Sequence, residues 1–155
     1  MFKRQAKKGF TLVEILIVVV ILGILAAIVI PQFTSASEAA KASSMVTQLQ
    51  TLRSQFELYQ VQHNGDYPLL ATLQTGVPDD WTGMTTQTDI NGAAGTDFGP
   101  YLQQAPVNGF TNATNLAADN TQDWEYNEAT GAIRAVVSAA KIAELNLSAN
   151  DVVAQ

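Results

Sequence analysis

The chain has 155 residues, 47% of them hydrophobic, with 8 basic against 14 acidic side chains and a net charge of −6. That length holds one domain and an appendage. It contains no cysteine, which excludes disulfides and thiolate chemistry, and its acidic balance argues against a nucleic-acid surface, which needs clustered basic residues.

Charge is segregated along the chain. Lys3, Arg4, Lys7 and Lys8 precede an apolar run, and residues 9–155 hold four basic residues against all fourteen acidic ones, a balance of −10. The basic flank is expected to stay cytoplasmic while the acidic body crosses the membrane. From Phe10 to Ile30 only Thr11, Glu14 and Gly23 interrupt the apolar side chains, and Glu14 is the one charge. As a helix this run is about 30 Å long, the thickness of the hydrocarbon layer. A core helix would show a polar face, and this one shows none. Two other readings are a cleaved secretory signal and a plain anchor. The run is too long for a signal's apolar region, and small-residue cleavage candidates lie well downstream, as at Ala40–Ala42. Neither reading explains Glu14, because an ionisable side chain in the bilayer costs roughly 3 kcal/mol or more.

Pro31 follows the run, lacks a backbone donor and disfavours helix at the residue before it, which predicts a bend or local break. Helix formers then resume at Ala36, Ala39, Ala40 and Ala42. Val46, Leu49, Leu52, Phe56 and Tyr59 are spaced 3, 3, 4 and 3 apart and predict one apolar stripe. Read as a single helix, Phe10–Gln62 spans about 80 Å. A domain of this size cannot bury such a helix, so its N-terminal half needs lipid or other copies of itself. The stretch "HNGDYP", His63–Pro68, ends it: Asn64-Gly65 suits a left-handed cap and Pro68 blocks continuation.

Residues 71–122 are rich in Thr, Asn, Asp and Gly and read mostly as loop, with a turn at Asp97–Leu102. In Asp123–Val137, Trp124 and Tyr126 alternate, a turn ends at Gly131, and Ile133, Ala135 and Val137 alternate. This pattern predicts a hairpin whose apolar face packs on the Val46–Tyr59 stripe. The last eighteen residues read as a short helical turn near Ala139–Leu145 or as an edge strand. The expected fold class is α+β: a long N-terminal helix, its apolar half protruding and its amphipathic half packed on a small antiparallel sheet.

The stretch "GFTLVEILIVVVILGILAAIVIP", Gly9–Pro31, resembles the N-terminus of the type IV pilin superfamily, which comprises pilins and the pseudopilins of type II secretion. The resemblance implies a leader over residues 1–9, a membrane and filament-core helix over 10–31, and a globular pilin-like domain over 32–155. It implies that a prepilin peptidase cleaves between Gly9 and Phe10 and then methylates the Phe10 amine. It assigns assembly roles to Glu14, Thr11, Gly23 and Pro31. After cleavage the Phe10 ammonium would lie four residues from Glu14 on one helical face, and in the family the glutamate also meets the amine of a neighbouring subunit. The implied partners are further copies in a helical filament, a membrane platform protein and an assembly ATPase. The implied location is the bacterial inner membrane, crossed once, with the N-terminus cytoplasmic and the C-terminal domain periplasmic.

In the globular half "NGDYP", "GPYLQQAPVN" and "WEYNEATGAIRAV" resemble the major pseudopilin, which implies a role in protein export. The alternative is a major type IV pilin for adhesion, twitching motility or DNA uptake. Many type IV pilins close a C-terminal loop with a disulfide, which this chain cannot do. From a different class, a monomeric membrane-anchored binding module would keep the anchor without needing Gly9, Phe10 and Glu14 together. An exported hydrolase is the weakest reading, because no catalytic constellation is visible.

The remaining candidates are few. His63 is the one histidine, at a helix end, and reads as a partner of the helix dipole rather than a general base. In "TDINGAAGTD", Asp89, Asn91 and Asp97 share a Gly-rich loop whose oxygens suit calcium, set against a solvated loop. Major pseudopilins bind calcium in a loop near the C-terminus, but no matching ligand set aligns here, and no other cofactor is expected. Trp81, Phe98, Tyr101 and Phe110 read as anchors that pin loops to the sheet.

Overall fold

The computed structural model describes residues 9–74 and 81–155, so the basic flank of Lys3, Arg4, Lys7 and Lys8 lies outside the described residues. Helix α1 spans Leu12–Gln62. The packing divides the chain into two units, Met1–Glu38 and Ala39–Gln155. In the first unit every residue from 12 to 37 is exposed. The helix continues through Pro31, so of the expected bend or local break the break does not occur. Nearby hydroxyls bond back to the preceding turn, Thr34 Oγ1 to the Ile30 carbonyl and Ser35 Oγ to the Pro31 carbonyl, each at 3.1 Å.

In the second unit the helix buries Ala42, Met45, Leu49, Leu52, Phe56 and Tyr59. Their spacing alternates three and four, which keeps one seam aligned along the helix. The expected stripe is therefore right from Leu49 onward and wrong at its start. Met45 occupies the seam, and Val46, one residue further round, is only half-buried. The helix closes as expected. Asn64 and Gly65 adopt positive φ, and the Gly65 amide donates to the Gln60 carbonyl at 2.9 Å.

Short helices α2 (Leu70–Leu73) and α3 (Thr82–Thr85) lead into a long irregular segment. Four strands follow, β1 (Leu116–Ala117), β2 (Trp124–Asn127), β3 (Ala132–Val137) and β4 (Val152–Ala154), with α4 (Ala139–Leu145) between the last two. The sheet order is β1-β2-β3-β4. The β2–β3 hairpin is antiparallel as expected, pairing Trp124 with Ala135 and Tyr126 with Ile133. The flanking pairs β1–β2 and β3–β4 are parallel, so the sheet is mixed rather than antiparallel. The cause at the C-terminal edge is α4, which carries the chain back so that β4 runs alongside β3 in the same direction. Both readings of the last eighteen residues are therefore present, a helix and then an edge strand.

An aromatic cluster lies within a largely aliphatic core. Phe56 stacks on Tyr126 with ring centres 4.9 Å apart and on Trp81 at 6.1 Å, and Trp81 meets Trp124 edge-on at 6.2 Å. Trp81 is wholly buried, and its indole donates to the Thr114 carbonyl at 2.7 Å, so it pins the loop segment as expected. Tyr101 and Phe110 pack against the same cluster. Arg53 clamps the C-terminal segment to α1: its guanidinium donates to Asp151 Oδ1 at 2.8 Å, to the Asn150 carbonyl at 2.7 Å and to the Ile133 carbonyl at 3.1 Å.

The hairpin turn depends on Gly131. Its φ is +66° and its amide donates to the Asn127 carbonyl at 2.8 Å. A Cβ there would overlap the Tyr67 ring. Gly131→Ala is therefore expected to lower stability by about 2 kcal/mol or more, since left-handed strain and steric overlap add. Equilibrium denaturation of the full chain in detergent checks this, and an unchanged midpoint would contradict the turn geometry.

Candidate processing and assembly site

The residues singled out at the N-terminus form a local hydrogen-bonded unit. Thr11 precedes the first helical residue, and Glu14 lies in the first turn. The Glu14 amide donates to Thr11 Oγ1 at 3.2 Å. Glu14 Oε2 accepts from the Thr11 amide at 3.4 Å and from the Thr11 hydroxyl at 3.3 Å. This is a capping box: the hydroxyl serves one unpaired helix donor while the carboxylate serves the amide of the capping residue. The Thr-x-x-Glu spacing that announces it stands in the sequence, and the sequence reading overlooked it. The box also corrects the helix start. Phe10 lies outside α1 rather than at its first position, so in the uncleaved chain Phe10 and Glu14 do not share a helical face.

Gly9 and Phe10 are both exposed, with Phe10 at 76%. Gly9 meets nothing where a side chain would be, and so does Gly23 inside the helix. A glycine within a helix costs about 1 kcal/mol relative to alanine. Among the described residues nothing uses the space at Gly23, which suits close approach by another helix. The apolar faces around it are uncovered too: Leu12 is 81% exposed and Phe33 72%. By length and composition α1 is able to cross a membrane.

The other candidate residues are placed differently. Asp89 Oδ1 accepts the amides of Asn91 at 2.9 Å and Ala93 at 3.0 Å, so this carboxylate organises its own turn. Asp97 joins the same region through its backbone, its amide donating to the Thr88 carbonyl at 3.2 Å. Among the described residues no group of three or more acidic or histidine side chains gathers to hold a metal. His63 is buried, with Nδ1 2.9 Å from the Tyr59 carbonyl and Nε2 3.0 Å from Thr88 Oγ1. Its ring lies flat on Tyr59, 3.7 Å between centres. The Tyr59 carbonyl is in the last turn of α1, as the dipole reading expected. Both ring nitrogens are occupied, which leaves neither for a substrate proton. The partnership with Thr88 joins residues far apart in the chain and has no signature in the sequence.

One family likeness falls on the same N-terminal segment. Residues 4–30 match the family described as the prokaryotic N-terminal methylation motif. Type II secretion system core protein G of Klebsiella michiganensis is 38% identical over 66 residues, which is 43% of this chain and 46% of that protein. The protein of the same name from Pseudomonas aeruginosa is 41% identical over 66 residues, again 43% and 46%. A fimbrial protein of Neisseria meningitidis is 31% identical over 118 residues, 76% of this chain and 59% of that protein. The chain thus spans about half the length of the curated relatives it matches. No solved structure matches. The resemblance to pilins and pseudopilins read from Gly9–Pro31 is borne out by these likenesses, and the long helix on a small sheet fits it.

Proposed function

We propose that the chain is the structural subunit of a helical filament assembled from the bacterial inner membrane, of the type II secretion pseudopilin kind, and that it acts in protein export. The observation that carries this is the N-terminal junction. A glycine and an exposed phenylalanine precede a threonine–glutamate capping box, and that box heads a helix whose residues 12–37 are all exposed. On this reading a prepilin peptidase removes residues 1–9 and methylates Phe10. The basic flank holds the N-terminus in the cytoplasm, and the acidic domain lies in the periplasm. A platform protein and its ATPase then lift subunits into the filament, where the apolar helices cover one another. The partner of Glu14 in the filament is the Phe10 amine of a neighbouring copy, and Thr11, Gly23 and Pro31 serve the same helix packing.

A surface pilus is the second reading, favoured by the fimbrial relative, whose likeness extends over 76% of this chain rather than 43%. Deletion of the gene with parallel assays of export and of surface filaments separates the two. Export should fail while surface pili persist. Lost pili with intact export would favour the pilus and overturn the secretion assignment.

A further inference from the structure

A cleft of about 360 Å³ opens beside the C-terminal end of α1. Its walls include Tyr59, Tyr67, Asp66, Asn91 and Glu128, and no lysine or arginine. Tyr59 is only 3% exposed, and its hydroxyl has no hydrogen-bond partner among the described residues. No fully buried side-chain polar atom there lacks a partner, so this hydroxyl is reached from the cleft. It sits over Gly92, where a Cβ would overlap it. Glu128 is held in place, with Oε2 accepting the Leu70 amide at 2.8 Å, and Oε1 stays without a partner among the described residues. Burial, then Tyr101, Asp89 and Asp66 in that order, pushes the Tyr59 phenol up to about 12, so the hydroxyl stays protonated and neutral at physiological pH.

The chemistry selects the ligand. Calcium takes about six to eight oxygens, whereas the cleft offers two carboxylates, Asp66 and Glu128, and one oxygen of Glu128 already accepts the Leu70 amide. Two carboxylates, a neutral hydroxyl and aromatic walls instead suit an organic cation, which carries both charge and directed N–H donors. We infer that this cleft receives an arginine or lysine side chain of a partner protein. The chain's own described cations have other partners: Arg53 pairs with Asp151, Arg134 with Glu125 and Lys141 with Glu144, and Lys41 is engaged as well. The inference does not depend on the filament reading.

Full-length chain in detergent micelles, titrated with N-acetyl-argininamide, N-acetyl-lysinamide and the neutral isostere N-acetyl-citrullinamide, tests it by calorimetry or NMR. Both cations should bind saturably, with citrulline weaker by roughly tenfold. The double substitution Asp66→Asn with Glu128→Gln should weaken arginine binding by a similar factor. Tyr59→Phe keeps the ring and should weaken it by about threefold. No saturable binding, equal affinity for citrulline, or an indifferent double variant would overturn the assignment. Spermidine binding more tightly than either blocked amino acid would overturn the protein side chain as its source. The citrulline comparison uses unaltered protein, so it stands even where a variant fails to fold.

Discussion

Glu14→Val is expected to leave membrane insertion intact and to abolish or sharply reduce filaments. The substitution deletes a charge from a segment that is otherwise apolar, so insertion should be normal or better. Gly9 and the basic flank are unchanged, so leader removal should remain substantial. Assembly is where the loss appears. A Phe10 ammonium would enter an apolar helix bundle without an opposite charge, and an uncompensated buried charge costs about 3–5 kcal/mol. The capping box adds a second consequence, because valine cannot return a hydrogen bond to Thr11. Glu14→Gln separates the two effects. Glutamine completes the same box but carries no charge. If charge pairing drives assembly, both variants fail. If the cap is what matters, glutamine assembles and valine does not. A plain membrane anchor predicts that both are neutral. Membrane fraction, mature N-terminus and sheared filaments are scored separately for each variant.

Phe56→Ala is expected to cost about 3–5 kcal/mol, the usual range for an aromatic side chain removed from a packed core. Phe56 is 1% exposed and stacks on both Tyr126 and Trp81, so its loss opens a cavity between helix and sheet. A domain is typically stable by only about 5–15 kcal/mol, so the effect is a large fraction of the total. Trp81 and Trp124 are fully buried and report unfolding by fluorescence. Val61→Ala is the control, since Val61 is 80% exposed and should move stability by no more than about 0.5 kcal/mol. Equal midpoints for the two variants would mean that the seam does not face the sheet.

Elements governed by local chemistry were legible in the sequence. The long helix, its Asn64-Gly65 end and the Trp124–Val137 hairpin all follow from periodicity and turn residues close together in the chain. The stripe was misjudged at Met45 because valine and methionine are adjacent and only packing decides which faces inward. At Pro31, where a bend or local break is expected, the helix persists unbroken on both sides. The parallel edges of the sheet were not legible, because strand direction there is set by α4 and by long-range pairing. The same holds for the Arg53 clamp on Asp151 and the His63–Thr88 contact, which join residues distant in sequence. At the candidate site the residue types were legible, and the omission was a short-range one: Thr11 and Glu14 carry the capping-box spacing.

The most direct measurement is the intact mass of the chain recovered from sheared filaments of the native host. The account predicts a chain that begins at Phe10 and carries one methyl group on its amine. Gly9→Leu should prevent that product, leaving precursor in the membrane and no filaments. Assembled filaments whose subunits retain residues 1–9 would contradict the account, because the Phe10 amine that Glu14 is proposed to meet would not exist.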